Sequence, residues 1–207
     1  MEQIVLLGCG GHSKSVVDTI ERQGKYEIVG FLDQEMNDAY SYREYGIVGR
    51  DEHLSDFYAQ GVRHAFVSIG YLGNSNTREL LYEKIIACGM TSPVIIDPSA
   101  VISSDAVVGQ GVFIGKNTVV NAEAKIGDLC ILNTGSIVEH ECQIGVNTHI
   151  SVGSVICGNT TIGDHTFIGA NTTVIQGIQI GERVVIGAGM LVINHIERYS
   201  KFTQYTK

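Results

Sequence analysis

Every sixth residue from Ile96 to Val192 is aliphatic without a break, through Ile102, Val108, Ile114, Val120, Ile126, Leu132, Val138, Ile144, Ile150, Ile156, Ile162, Ile168, Val174, Ile180 and Ile186. The fourth residue after each is usually small, as at Ala106, Thr118, Ala124, Cys130, Ser136, Cys142, Thr148, Ser154, Thr160, Thr166 and Thr172. The residue directly after the aliphatic is often glycine. A helix buries positions three or four apart and cannot generate a spacing of six. A strand of period two can do so only if the chain turns between the aliphatics, so each hexapeptide reads as a short strand plus a corner. Three units close a triangular coil whose axis the aliphatics fill, and coils should stack at roughly 4.8 Å. The pattern predicts a flat-sided prism about five coils tall.

The first ninety residues follow another rhythm. Ile4-Val5-Leu6-Leu7 runs straight into Gly8-Cys9-Gly10-Gly11-His12, and a helical pattern through Val16, Val17 and Ile20 ends at Gly24. This is strand, glycine turn, helix. Ile28 to Leu32 predicts a second strand ending at Asp33, His64 to Ile69 a third ending at Gly70, and Thr77 to Ala87 a helix closing at Gly89. Alternating strands and helices imply a small parallel sheet, with ligands at the carboxyl ends of the strands, where Gly8 to His12, Asp33 and Gly70 fall. Ser13 stands where a full dinucleotide fingerprint has its third glycine. The turn still offers backbone N–H groups at a helix N-terminus to a phosphate, and Asp33 suits ribose hydroxyls. A tight turn without ligand, with Asp33 capping a loop, is the alternative. His12 fits either a ligand contact or a helix cap.

A net charge of −8 disfavours nucleic acid and anionic membrane as partners, because phosphates need Lys and Arg to release counterions. Neither a charged-then-apolar leader nor an apolar run of membrane-spanning length is visible, so the sequence reads as soluble and cytoplasmic. The five cysteines occur singly, which argues against a disulfide framework or a zinc site. Cys130 and Cys142 take the small inward position and read as buried and inert.

The most unusual repeat unit is Asn133-Thr134-Gly135-Ser136-Ile137-Val138-Glu139-His140-Glu141-Cys142. His140 lies two residues past the inward Val138, at a corner, so its ring should face outward. One coil later the stacked residue is Gly158, which leaves room beside the imidazole and exposes a backbone N–H. A base beside such a donor is the minimum kit for acyl transfer, the imidazole taking a proton and the N–H steadying an oxyanion. Glu139 and Glu141 flank the histidine, and spacing alone does not settle which one bonds it. A solvated corner histidine is the competing reading. His149, half a coil away, falls on the opposite side of the prism. It reads either as a ring packed between Ile131 and Phe167 or as a residue that a cyclic trimer brings toward His140 of a neighbour. Cys157 beside Gly158 has no cation or histidine placed to activate it as a nucleophile. His53, His64, His165 and His195 show no ligand spacing, and no metal site is expected.

The hexapeptide run resembles that of the left-handed β-helix acyltransferases. Together with the Gly8-Cys9-Gly10-Gly11-His12 turn, the His140 segment and His149-Ile150-Ser151-Val152-Gly153, the whole chain is similar to bacterial sugar acetyltransferases, the UDP-4-amino-sugar N-acetyltransferases of bacillosamine synthesis and the sialic acid O-acetyltransferases. The resemblance implies a Rossmann-like α/β domain over residues 1–92 that binds a nucleotide sugar. It implies a left-handed parallel β-helix over 93–194, a tail over 195–207 and a homotrimer. By the same resemblance His140 is the general base, Glu141 raises its basicity and Asn133 lies in the cleft. His149, Gly158, Ala170 and Ala188 match acetyl-CoA contacts, and Gly10, Gly11, His12, Asp33 and Gly70 match sugar-nucleotide contacts. Gln34 stands where the nearest N-acetyltransferases carry a second acid. The expected activity is N-acetylation of a nucleotide-linked amino sugar, with O-acetylation or a noncatalytic scaffold as rivals.

Overall fold

The structure, a computed structural model, describes residues 1–35, 41–73 and 75–204. The last three residues of the tail, 205–207, lie outside the described residues. The chain divides into two units, one of residues 1–70 with 76–95, the other of residues 71–75 with 96–207.

In the first unit β1 (Glu2–Leu7) is an interior strand of a five-stranded sheet. It pairs in parallel with β2 (Tyr26–Leu32) and with β5 (His64–Val67). Beyond β2 come β4 (Tyr45–Gly49), again parallel, and the two-residue β3 (Ser41–Tyr42), antiparallel to it. Ile4, Val5, Leu6 and Leu7 are all 0% exposed, as an interior strand covered on both faces requires. Helix α1 (Gly11–Gln23) buries Val16, Val17 and Ile20 and stops at Gly24, whose φ of 65° lets its N–H reach the Ile20 carbonyl. Helix α3 (Thr77–Ala87) has its expected bounds. The strands β3 and β4 and the short α2 (Leu54–Ala59) lack a strong sequence pattern and were not expected.

The second unit is a parallel β-helix of the left-handed, hexapeptide-repeat kind, built from two-residue strands in three sheets of six, five and seven strands. As far as Val192 each strand pairs with the one eighteen residues on, Val119 with Ile137 and Val120 with Val138, so three hexapeptides make one coil; the last pairing, Val185 with Lys201, spans sixteen. From Ile114 to Val192 the sixth-residue aliphatics are no more than 3% exposed. Each contributes about 1.5–3 kcal/mol by leaving water. Ile96, Ile102 and Val108, at the first coil, are only half-buried, since their strands end the three sheets and no further coil of the described residues pairs with them.

Two regularities complete the coil. The small inward hydroxyls form a ladder: Thr148 donates to the Gly163 carbonyl, Ser154 to Gly169, Thr160 to Ile175, Thr166 to Gly181 and Thr172 to Gly187. Small size permits burial there, and a hydroxyl satisfies a carbonyl at the same place. Every sixth residue from Gly111 to Gly189 has positive φ, between 52° and 69°. Glycine and asparagine hold most of these corners, as the left-handed region favours, but Glu123, Leu129, Glu141, His165 and Arg183 hold others.

The outward strand residues give the prism three different faces. One is aromatic, with Phe113, Ile131, His149, Phe167 and Val185, and Tyr71 and Gly73 lie against it. The second is apolar, with Val101, Val119, Ile137, Val155, Thr173 and Leu191. The third is polar, with Val107, Lys125, Gln143, Thr161 and Gln179.

Candidate active site

His140 stands on the edge where the apolar face turns into the polar one, between the strands Ile137–Val138 and Gln143–Ile144. Its ring faces outward, with 58% of the side chain exposed. Glu141 is the acid that engages it, Oε2 lying 3.0 Å from Nδ1. The left-handed corner, φ 60° at Glu141, folds the carboxylate back onto the preceding ring, a geometry that residue spacing does not reveal. With a carboxylate accepting at Nδ1, Nε2 carries the lone pair, the tautomer a general base needs.

Gly158 is stacked on His140 as expected, but the space it leaves is filled by the imidazole itself. A Cβ at 158 would come within 2.5 Å of both Cε1 and Nε2. The glycine therefore makes room for the ring, and any reacting atom must approach Nε2 from its outer side.

From Ile102 on, the second residue after each inward aliphatic carries an N–H that the coil-to-coil ladder does not use. At Gln110 and Val146 it is capped by Asp128 and Asp164 of the next coil, and at Thr134 by the Asn133 side chain. Among the described residues, the N–H groups of Gly158, Ala170 and Ala188 make no hydrogen bond. Ala170 is half-buried and Ala188 exposed, as contact through backbone requires, whereas Gly158 is buried beneath the His140 ring.

These residues do not form one cluster within a chain. His140, Glu141 and Gly158 occupy one edge of the apolar face, and Asn133, Ala170 and Ala188 occupy the other. His149 lies on the aromatic face and is only 6% exposed. It packs between Ile131 and Phe167, in edge-to-face contact with the latter at 5.3 Å. Both ring nitrogens have partners inside the chain, Tyr71 O at 2.6 Å and Asn133 Nδ2 at 3.3 Å. Beside Glu141 the polar face carries a groove of about 320 Å³ lined by Asp105, Glu123, Lys125, Gln143 and Asn159.

In the first unit Gly10, Gly11, His12, Asp33 and Gly70 fall at one end of the sheet. Among the described residues, Cβ atoms built at Gly10 and Gly11 meet nothing within 4 Å, so the start of α1 is open to them, and a Cβ built at Gly70 would lie 3.6 Å from the His12 Cβ. Asp33 caps the loop, accepting from the N–H of Cys9 and of Glu35 at 3.0 Å each. Burial alone would raise its pKa, but these bonds outweigh it and hold the carboxyl below its ordinary value. Burial first, and then Asp33, push the Cys9 thiol up to about 11. Gln34 is tied back to Asp51 at 2.7 Å. Sequence reading missed two supports of this end. Ser68 donates to the carbonyls of Leu7 and Gly8, and the buried Arg78 holds the carbonyls of Val67 and Ile69. Arg78 opens a helix directly after Gly70 and the following loop, the single hint of its role. Among the described residues no group of acids, histidines or cysteines suits a metal ion, and no helix is long and apolar enough to cross a membrane.

A prism of hexapeptide coils with an exposed base on its edge defines the β-helical acyltransferase class. The PglD N-terminal domain profile matches residues 3–85, and the hexapeptide repeat of succinyl-transferase profile matches 106–139 and 159–193. A mutant of GDP-perosamine N-acetyltransferase from Caulobacter crescentus, in complex with CoA and GDP-perosamine, is 30% identical with a TM-score of 0.92, over 98% of this chain and 94% of that one. The acetyltransferase domain of PglB from Neisseria gonorrhoeae, in complex with acetyl coenzyme A, is 31% identical with a TM-score of 0.87, over 95% and 93%. WeeI from Acinetobacter baumannii shares the fold at 18% identity and a TM-score of 0.74, over 97% and 96%. No curated protein matches the chain. The chain belongs to the hexapeptide-repeat sugar acyltransferases that carry a PglD-type N-terminal domain.

Proposed function

We propose that this enzyme transfers acetyl from acetyl-CoA to the amino group of a nucleotide-linked amino sugar, directly, with His140 as general base. The observation that carries the reading is the His140–Glu141 pair at 3.0 Å, its Nε2 facing out over Gly158. The amine lone pair attacks the thioester carbonyl carbon while Nε2 takes the amine proton. The C–S bond then breaks, and the imidazolium returns its proton to the departing thiolate. The N–H of Gly158, which makes no hydrogen bond within the described residues, is assigned to steady the oxyanion. The acid-lined groove beside Glu141 attracts the cationic form of the acceptor, whose ammonium group gives one proton to solvent so that the amine attacks in its neutral form. CoA and a GDP-linked amino sugar bound to the Caulobacter protein, and acetyl-CoA bound to the Neisseria domain, support the choice of donor and acceptor. The open start of α1 with Gly10, Gly11, His12, Asp33 and Gly70 is assigned to the nucleotide sugar, its N–H groups to a phosphate.

The working form is a homotrimer in the cytoplasm. The two sets of site residues sit on opposite edges of the apolar face, so burying that face between copies sets the His140 edge of one prism near the Ala170 and Ala188 edge of the next. Val101 and Leu191, 65% and 59% exposed, continue the apolar row to its two ends. The test is a thiol-release assay with UDP-, GDP-, dTDP- and CMP-linked amino and hydroxy sugars, on wild type and His140→Ala. Turnover with an amino sugar and a loss of about 10² to 10⁴ in kcat support the reading; transfer only to hydroxyl acceptors, or an unimpaired variant, would falsify it.

A further inference from the structure

The imidazole of His149 is held at both nitrogens, and its partners fix its proton. A backbone carbonyl only accepts, so the 2.6 Å contact from Nδ1 to Tyr71 O puts the hydrogen on Nδ1. At Nε2 the partner is Asn133 Nδ2 at 3.3 Å, which only donates, so Nε2 carries a lone pair. The orientation of the Asn133 amide is set independently, because its Oδ1 accepts from the Thr134 N–H at 2.9 Å. Tyr71 is itself fixed: it is 3% exposed, and its hydroxyl donates to the His165 carbonyl at 2.8 Å. Two residues on, a Cβ at Gly73 would lie 2.6 Å from Val185 Cγ2, so the segment lies too close to the prism to slide.

The chain Tyr71 O, His149, Asn133, Thr134 N thus has one direction of donation throughout. It uses one hydrogen of the Asn133 amide and leaves the other on a plane that cannot rotate.

We propose that His149 is a positioning residue that acts through Asn133. In its neutral Nδ1–H form it turns the half-buried Asn133 amide so that the second N–H points out of the prism edge, as a preset donor to an oxygen of the bound substrate. This rests on the reading that Asn133 borders the transfer cleft. Preset donors are valuable in acyl transfer because they need no reorganisation when charge develops.

The decisive measurement is the ¹⁵N spectrum of the wild-type enzyme labelled at histidine, with His149 assigned by its loss in His149→Gln. A protonated Nδ1 and a bare Nε2 at neutral pH support the proposal. A proton on Nε2 overturns it, whatever the activity. Kinetics give a second reading. His149→Asn keeps a donor near Tyr71 O but has nothing at the Nε2 position, whereas His149→Gln restores an acceptor there. His149→Asn should lower kcat about 10- to 100-fold with little change in KM for acetyl-CoA, and His149→Gln should recover most of that loss. Equal losses in both variants, or an effect confined to KM, would mean packing or donor binding and would overturn it. Should the wild type transfer to no nucleotide sugar, the enzymatic reading fails, while the spectrum still decides how His149 is protonated.

Discussion

The ring of His140 occupies the volume that a side chain at Gly158 would need, a Cβ there falling 2.5 Å from Nε2. The two residues are eighteen apart and meet because one coil brings the chain back above itself. Gly158→Ala must push the ring outward while leaving the φ of residue 158 in an ordinary region. We expect kcat to fall about 10²-fold, the cost of misplacing a catalytic group by about an ångström, with the thermal midpoint nearly unchanged. Unaltered turnover in that variant would place the chemistry elsewhere.

Glu141 acts through the ring it bonds. Glu141→Gln keeps the shape and a hydrogen-bond acceptor but removes the charge that balances a forming imidazolium, and should cost about 10- to 100-fold in kcat. Glu139 does not engage the ring, so Glu139→Gln should stay within about twofold under the same assay. Equal effects from the two substitutions would show that general acidity, not the bond to Nδ1, matters.

The apolar face is the proposed contact between copies. Ile137→Glu and Val155→Glu each bury a charge in that contact if it forms, and an unpaired buried charge costs several kcal/mol. Sedimentation velocity should show trimers for wild type and monomers for the variants, with acetyl transfer lost in parallel. A wild-type monomer that still turns over would remove the need for a shared cleft.

The glycine loop makes a prediction about pH. Cys9 is raised from an ordinary 9.0 to about 11, so its protonated state contributes stability that is fully present below pH 9 and is lost as pH rises from 9 toward 11. Asp33 shifts the other way: its contribution is present above pH 3.8 and declines as pH falls below that value. Alkylation of Cys9, followed by peptide mapping, should remain slow up to pH 9 and accelerate only on approach to 11. In Asp33→Asn the acceleration should begin at lower pH, since burial is then the main remaining cause. An early thiolate in the wild-type protein would contradict the loop geometry.

The hexapeptide period and the strand–turn–helix run at the start were legible because both depend on local rules. An aliphatic every sixth residue has no other periodic home, and Ile4 to Leu7 followed by glycines has few. The outward setting of His140 and its stacking under Gly158 followed from counting. What counting could not supply was occupancy: that the ring fills the space over Gly158, or that none of the described residues fills the space above Gly10 and Gly11. Arg78 and Ser68 escaped notice because their partners are backbone carbonyls, which every sequence has in equal number.

The sequence by itself determined the prism, the sheet, and which residue types line each edge, since these follow from periodicity and the need to bury apolar surface. Only the tertiary structure decided between Glu139 and Glu141, because the choice depends on a left-handed corner at residue 141. It also showed His149 as a buried link between Tyr71 and Asn133, because the covering segment at Tyr71 lies 78 residues away along the chain and carries no periodic signal. Repetition is written into composition and spacing, but the proton on one imidazole is set by whichever distant carbonyl folding brings beside it.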